Sequence, residues 1–227
     1  MMLHIPQVLS TEQLAECRQR LLQASWGDGR VTTGFQAALV KNNSQLPLDS
    51  PAAQAVGQVI LQALERHPLF ISAALPHKIL PPQFNCYQNG QAYGMHVDSA
   101  MRKDRNSNGY LRTDLSATLF LTPPEDYDGG ELLIDDVGGT RSYKLPAGDM
   151  VLYPSTTLHQ VMPVTRGARI CSFFWLQSMV RDTGQRQLLF QLDSNIQQLN
   201  RELGAGHSNC VQLTGIYHNL LRRWSEV

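Results

Sequence analysis

Apolar residues recur with helical periodicity in two segments near the N-terminus. In residues 10–24, Leu14, Cys17 and Leu21 fall on one face of a helix with 3.6 residues per turn, and hydroxyl residues precede them as candidate N-caps. A second helix is predicted over residues 50–66, where a proline occupies the first turn and alanines, leucines and isoleucine form the apolar face. The chain therefore begins with helices that have one side to bury.

The C-terminal region has a similar pattern. Residues 181–203 carry leucines and an isoleucine at helical spacing, and residues 210–224 resume that spacing after a glycine-containing interruption. We therefore predict a C-terminal helical segment after residue 178. Its leucines are most simply explained by core packing or by packing between two copies of the chain.

Between these helical regions the pattern becomes one of short strands. Apolar or alternating runs occupy residues 115–122, 131–135, 141–154, 158–167 and 168–177, and proline- and glycine-rich turns separate them. Short strands spaced by turns are typical of an all-β barrel or sandwich. The sequence thus predicts a mainly β core with flanking N-terminal helices and a C-terminal helical segment.

This pattern divides the chain into three regions. We predict a helical support region over residues 1–77, the β core over residues 78–178 and the helical segment over residues 179–227. Within the core, residues 99–112 are polar and rich in turn-forming residues. This composition predicts a mobile loop or a lid over a binding site.

Composition narrows the class of partner. The 227-residue chain has 19 basic and 19 acidic residues and no basic block, which gives no electrostatic case for nucleic acid or an anionic membrane. No apolar run is long enough for a transmembrane helix, and the N-terminus lacks the pattern of a signal peptide. The four cysteines are widely spaced, as expected for reduced thiols in a cytoplasmic protein.

Candidate metal ligands occur in the stretch "YGMHVDSA". His96 and Asp98 are two residues apart, so at a strand end their side chains point to the same side. His159 is the other histidine well inside the β region. Two histidines and one carboxylate form a facial triad with open coordination positions, which suits non-haem Fe(II). Taken separately, the first two residues also fit a polar surface turn, and His159 fits a core histidine.

Arg169 follows His159 by ten residues, on the next predicted strand. A guanidinium among apolar residues needs an anionic partner, and its planar arrangement of N–H donors can bind both oxygens of a carboxylate. The anion can be a dicarboxylate co-substrate. The alternative is a structural ion pair with Asp149 or another carboxylate of the β region.

These motifs together resemble the Fe(II)/2-oxoglutarate-dependent dioxygenases. The runs "FNCYQNGQAYGMHVDSA", "FLTPPEDYDGGELLI" and "PAGDMVLYPSTTLHQVMPVTRGARICSFFWLQSMVRD" are similar to the prolyl/lysyl hydroxylase branch. The similarity is greatest to the bacterial PKHD-type hydroxylases of the PiuC/YbiX kind, and it extends over the helical tail. The resemblance implies a double-stranded β-helix, or jelly roll, as the fold of the core.

The resemblance also implies roles for individual residues. His96, Asp98 and His159 would bind Fe(II), and Arg169 would hold the distal carboxylate of 2-oxoglutarate. Tyr87, on the strand that leads into the first motif, would contribute a hydrogen bond to the co-substrate, or else belongs to the core. Related prolyl hydroxylases have a second tyrosine where this chain has Phe120, which cannot donate a hydrogen bond. Thr118, on the same strand face, is the candidate substitute.

The activity implied is hydroxylation of an unactivated C–H bond, with release of succinate and CO2. L-ascorbate dependence and a link to iron uptake are implied by the resemblance alone. The substrate is a peptidyl proline or lysine, a siderophore or another small molecule. The alternative hypotheses are a non-catalytic sensor of iron and 2-oxoglutarate that uses the same pocket, and a metal-free binding jelly roll. A homodimer through the helical segments is a further expectation.

Overall fold

The computed structural model describes residues 1–104 and 109–227. The helices are α1 (Thr11–Leu22), α2 (Phe35–Ala38), α3 (Pro51–Glu65), α4 (Pro68–Ala74), α5 (Thr183–Leu203) and α6 (Ser208–Trp224). The strands are β1 (Leu3–Ile5), β2 (Gly27–Asp28), β3 (Lys41–Asn42), β4 (Ser44–Gln45), β5 (Pro76–Ile79), β6 (Gln83–Gln88), β7 (Ala92–His96), β8 (Met101–Lys103), β9 (Tyr110–Arg112), β10 (Leu115–Phe120), β11 (Asp128–Gly129), β12 (Leu132–Asp136), β13 (Gly139–Tyr143), β14 (Met150–Pro154), β15 (His159–Val161), β16 (Val164–Arg166) and β17 (Ala168–Ser178).

The helices predicted from periodicity form close to the expected positions. Helix α1 begins after Ser10. The Ser10 hydroxyl accepts a hydrogen bond from the backbone N–H of Gln13, and the Gln13 side-chain oxygen accepts one from the backbone N–H of Ser10. Helix α3 begins after Ser50 with Pro51 in its first turn. Helices α5 and α6 form the C-terminal segment. Helix α4 is an element that the sequence analysis did not identify.

Two antiparallel sheets form the β core. Across the described residues, the major sheet has the order β1-β14-β10-β17-β6-β4-β2, with β5 also paired to β17. The minor sheet has the order β13-β12-β15-β7-β3. The N-terminal region therefore contributes strands to both sheets in addition to its helices. This arrangement of two facing antiparallel sheets is a jelly roll.

The major sheet separates two hydrophobic clusters. Alternate residues of β17 face opposite sides: Phe174 and Leu176 pack towards α1, α3 and α4, while Cys171 packs towards the minor sheet. The same alternation in β10 sends Leu119 to the helical side and Phe120 to the space between the sheets. The helices thus cover one face of the major sheet and leave the other face to form a cavity.

The region predicted as a polar loop, residues 99–112, contains a hairpin. Strands β8 and β9 pair in antiparallel register, with Arg102 opposite Leu111. The prediction of a loop was therefore wrong for the described part of this region. Backbone hydrogen bonds pair β8 with β9, although the sequence of these strands shows no alternation of apolar and polar residues. Residues 105–108, the remainder of that prediction, lie outside the described residues.

No helix in the described ranges has both the length and the apolar character needed to cross a membrane. The four cysteines are free and buried. Burial raises the pKa of the Cys17 and Cys86 thiols to about 11, so both are protonated at neutral pH. This agrees with the expectation of reduced, buried thiols.

Candidate active site

The structure brings the three predicted metal ligands together. His96 is the last residue of β7, Asp98 follows it by two positions, and His159 begins β15. Strands β7 and β15 pair with His96 opposite His159, so their rings face each other with centroids 4.2 Å apart. One ligand atom from each of the three side chains lies within 4.8 Å of the others. The cluster can therefore hold a metal ion.

Both histidines are oriented by backbone carbonyl groups. The Nδ1 atom of His96 lies 2.8 Å from the Gly94 oxygen, and that of His159 lies 3.1 Å from the Thr157 oxygen. Since a carbonyl only accepts, Nδ1 carries the proton in each ring, and Nε2 keeps its lone pair for a metal. Burial, and then the neighbouring His159, lower the pKa of His96 to about 4, which favours the neutral form that binds metal.

The carboxylate of Asp98 has its own supporting contacts. Ser116 donates from Oγ to Oδ2 of Asp98 at 2.6 Å, and the Ser116 and Ser155 hydroxyls lie 2.8 Å apart. The same Oδ2 is 3.8 Å from Nε2 of His159. Two imidazoles and one carboxylate, each held by an outer hydrogen bond, are the donor set expected for non-haem Fe(II).

Arg169 lies deep in the same cavity. Its side chain is 1% exposed and sits between the rings of Tyr87 and Phe120, whose centroids are 5.4 and 5.2 Å from its guanidinium carbon. Its Nε and Nη2 atoms are buried and have no hydrogen-bond partner within the described part of the chain. A buried guanidinium with unused donors fits a bound carboxylate, such as that of 2-oxoglutarate.

The alternative ion pair between Arg169 and Asp149 does not form. Asp149 instead accepts from the backbone N–H of Gln7 at 2.9 Å, and its second oxygen lies 2.7 Å from Nε2 of His4. Both of these partners come from the N-terminal strand and the turn after it. No carboxylate in the described ranges lies within ion-pair distance of Arg169.

The structure also places the residues predicted to lie near the co-substrate. Tyr87 and Thr118 are buried and line the cavity together with Arg169. Burial raises the pKa of Tyr87 despite the opposing effect of Arg169, so its hydroxyl remains protonated and can donate. Phe120 packs its ring against Arg169 and offers no polar atom to a ligand.

Several residues of the cavity were missed by the sequence analysis. Ser116 could have been found by extending the strand face of Thr118 and Phe120 by one more step of two residues. Lys41 reaches the cavity because β3 pairs with the distant β7, and Arg102 reaches it from the local β8–β9 hairpin, whose sequence shows no apolar alternation. Tyr93 is a further cavity residue to which the sequence analysis gave no role; its ring stacks on that of His96 with the centroids 3.6 Å apart.

Comparison with known proteins agrees with the geometry. Residues 82–177 match the 2OG-Fe(II) oxygenase superfamily, and residues 183–226 match the PKHD-type hydroxylase C-terminal domain. A PKHD-type hydroxylase of Methylobacillus flagellatus is 59% identical over 226 residues, and one of Phenylobacterium zucineum is 58% identical over 227 residues. Each alignment covers all of this chain and all of the relative.

A solved structure shares the fold at much lower sequence identity. It is a prolyl hydroxylase from Trichoplax adhaerens in complex with a hypoxia inducible factor peptide fragment, with a TM-score of 0.59 at 14% identity, over 82% of this chain and 86% of the other. Together with the full-length relatives, this similarity agrees with the observed jelly roll and C-terminal helices. The chain belongs to the PKHD-type hydroxylases, a family of 2-oxoglutarate- and Fe(II)-dependent dioxygenases.

Proposed function

We propose that this dioxygenase hydroxylates an unactivated C–H bond of a small-molecule or peptidyl substrate. In this proposal His96, Asp98 and His159 bind Fe(II), and Arg169 holds the distal carboxylate of 2-oxoglutarate. The observation that supports this proposal is that all four side chains line one cavity. The two histidines and Asp98 offer potential metal-ligand atoms there, and Arg169 offers guanidinium donors without a hydrogen-bond partner among the described residues.

The protein supplies ligands and orientation. When bound, Fe(II) and 2-oxoglutarate supply the oxidising chemistry, which consumes dioxygen, releases succinate and CO2 and transfers one oxygen atom to the substrate. The protonated Nδ1 atoms of both histidines direct Nε2 towards the metal, and Ser116 fixes the rotamer of Asp98. Three protein ligands leave coordination positions open for the reactants.

Arg169 and Tyr87 orient the co-substrate. Arg169 offers two buried donors, and its guanidinium packs against the rings of Tyr87 and Phe120. Tyr87 adds a protonated hydroxyl in the same part of the cavity. A dicarboxylate anchored in this way keeps its other end directed at the metal ligands, which lowers the entropic cost of the reaction.

Substrate access is proposed along the hairpin of β8 and β9. A second cavity of about 790 Å³ shares Thr32, Thr33 and Arg102 with the inner cavity, and Ser99 and Met101 also line it. This size is within the range of ligand sites in proteins. We propose that residues 99–104 and 109–112, the described parts of this region, act as a lid or as one wall of this access route.

The deciding experiment is the conversion of 2-oxoglutarate to succinate by iron-loaded protein after admission of oxygen. Turnover that requires iron and oxygen is expected of an oxygenase. Tight binding of iron and 2-oxoglutarate without turnover above background would instead favour the sensor. Mass spectrometry then compares cell extract treated with active protein and extract treated with a His96→Ala variant. A product that has gained one oxygen atom should appear only with the active protein.

Three further expectations complete this proposal. Ascorbate should increase turnover by keeping iron reduced, which the succinate assay tests with and without it. Cell fractionation tests the expected cytoplasmic location. Deletion of the gene, followed by measurement of growth under iron limitation, tests the expected link to iron uptake.

Apolar residues exposed on α5 and α6 support a homodimer, which analytical ultracentrifugation tests. These residues are Leu188, Leu203, Val211 and Ile216.

A further inference from the structure

Two basic side chains outside the proposed ligand set line the cavity. Lys41 and Arg102 surround it together with His96, Asp98 and Arg169. Asp98 is the one carboxylate among the described residues that line this space. The cavity therefore contains more positive than negative protein charge, and the surplus needs an explanation because burying an uncompensated charge is costly.

Lys41 is a buried cation held by neutral groups. Its side chain is 4% exposed, and Nζ donates to Oγ1 of Thr32 at 3.1 Å and to Oε1 of Gln45 at 2.9 Å. Gln83 fixes the orientation of Gln45, since it accepts from Nε2 of Gln45 at 2.9 Å. These contacts use two of the three ammonium protons and neutralise no charge.

No acidic side chain compensates Lys41 directly. Within the described ranges, no carboxylate lies within ion-pair distance of its Nζ atom. Asp28 and Asp98 act on it only from beyond ion-pair distance; Asp28 is already paired with Arg30, and Asp98 belongs to the proposed metal ligands. Burial, and then Arg102, lower the pKa of Lys41 to about 8, so the ammonium form still predominates at neutral pH.

Arg102 presents a guanidinium fixed on an aromatic surface. Its guanidinium carbon lies 3.4 Å from the ring centroid of Trp175, a stacking distance that holds the plane of the group. Its Nε atom is buried and has no hydrogen-bond partner among the described residues. As for Lys41, the described residues provide no carboxylate within ion-pair distance.

One aromatic pair connects the two cations. Phe173 and Trp175 pack edge to face with ring centroids 5.5 Å apart, and Nζ of Lys41 lies 5.9 Å from the Phe173 ring. Arg169, Phe173 and Trp175 alternate along β17 and face the cavity. At about 3.3 Å per residue, Trp175 lies roughly 20 Å along the strand from Arg169. The two cations therefore lie away from the proposed co-substrate anchor.

The same end of the cavity borders the metal ligands. Nζ of Lys41 lies 5.4 Å from the ring of Tyr93, and that ring stacks on His96. A group bound between Lys41 and Arg102 would thus be close to the reacting centre without occupying the position of the co-substrate.

Charge balance with both cofactors bound leaves these two cations unmatched. The proposed distal carboxylate would neutralise Arg169, and the metal charge would be balanced by Asp98 and the other carboxylate of 2-oxoglutarate. Lys41 and Arg102 would keep their charges where Lys41 is buried and Arg102 is partly buried, and there an anion is favoured. We propose that the primary substrate carries an anionic group, such as a carboxylate, which Lys41 and Arg102 bind beside the Phe173–Trp175 pair.

This inference rests on the proposed function, and a binding experiment separates the two. The probes are benzoate and benzamide, which share a shape and differ in charge. Each is titrated into protein saturated with Mn(II) and 2-oxoglutarate, and broadening of its proton NMR signals by Mn(II) reports binding near the metal. Benzoate should bind at least about tenfold more tightly than benzamide, the value expected for charge-assisted hydrogen bonds.

Variants identify the residues responsible. Lys41→Met and Arg102→Met should each reduce the preference for benzoate to about a third or less of the wild-type ratio while changing the Kd of 2-oxoglutarate by less than about threefold. Lys78→Met, which removes an exposed lysine outside the cavity, should keep the full preference. Circular dichroism checks folding. Because Arg102 is partly exposed, its variant remains informative if the Lys41 variant fails to fold.

Three results would overturn the inference. These are equal binding of benzoate and benzamide to wild-type protein, an unchanged preference in both variants, and a loss of 2-oxoglutarate affinity in Lys41→Met as large as that in Arg169→Met. The last result would assign Lys41 to the co-substrate. A protein that prefers benzoate but forms no succinate would contradict the proposed oxygenase reaction and leave the anion site standing.

Discussion

His96 and His159 are register partners across β7 and β15, and their imidazole rings lie 4.2 Å apart. A metal bound between them would therefore link two strands of the minor sheet. Replacing either histidine with alanine should lower Fe(II) affinity by more than about 100-fold, since even the loss of an outer-sphere partner costs 10–100-fold. Anaerobic calorimetric titration measures this effect.

His77→Ala provides the matched control for these variants. His77 is exposed and lies outside the cavity, so the variant should bind Fe(II) as the wild type does. Wild-type affinity in both the His96 and the His159 variants would rule out the proposed metal centre.

Arg169→Met should weaken 2-oxoglutarate binding selectively. The variant loses two buried donors to a carboxylate, and a charged hydrogen bond contributes about 1.5–3 kcal/mol, so the KM should rise at least about tenfold. Metal affinity should change little, because Arg169 is not among the candidate ligands. Arg166→Met, which removes an exposed arginine paired with Asp128, should leave the KM unchanged. A KM unaffected by the Arg169 change would contradict the assignment.

Ser116→Ala should weaken the metal site without removing a ligand. The serine donates to Asp98 at 2.6 Å, and its loss frees the carboxylate to rotate. Loss of such an outer partner lowers metal affinity by about 10–100-fold. The measurement is Fe(II) affinity by titration, with Ser194→Ala on the exposed face of α5 as the control. Equal affinity in the two variants would show that Ser116 does not support the ligand.

Gly130→Ala should disturb the position of Arg169. Gly130 has a φ of +71°, and an added Cβ would lie 2.9 Å from Cδ of Arg169 and 2.8 Å from Cγ2 of Val164. Backbone strain and overpacking together should lower the free energy of unfolding by about 2–4 kcal/mol, measured in urea. Gly138→Ala, where an added Cβ meets no atom within 4 Å, is the control. Equal stability of the two variants would contradict this packing.

The thiols should be unreactive in the native protein. All four cysteines are buried and free, and burial raises the pKa of Cys17 and Cys86 to about 11. A chromogenic thiol reagent should detect almost no reactive cysteine before unfolding and four afterwards. Rapid reaction of the folded protein would show that at least one of these thiols is accessible.

Local patterns were enough to predict the longer helices and to suggest that His96 and Asp98 lie together. Ser10 and Ser50 cap the helices that periodicity predicted, and the same-side geometry of His96 and Asp98 agrees with the observed cluster. The caps and the proximity of these two side chains could be predicted because both depend on residues close in sequence. Pairing His159 with this motif needed chemistry as well, namely the ligand set that Fe(II) requires.

Long-range packing explains what the sequence analysis missed. Lys41 sits in a polar stretch typical of a surface, and it is buried because β3 pairs with β7. Asp149, the alternative partner considered for Arg169, instead contacts His4 of β1, a strand too short to show a periodic pattern. The hairpin around Arg102 likewise lacks apolar alternation.

Strand β17 carries Arg169 near its beginning and the Phe173–Trp175 pair farther along the same face. A continuous strand has a fixed rise per residue, so the spacing between these two places does not depend on loop conformation. In the proposed assignment the strand therefore acts as a molecular ruler. It sets how far the charged group of the substrate would lie from the distal carboxylate of 2-oxoglutarate, and so it would limit substrates by size as well as by charge.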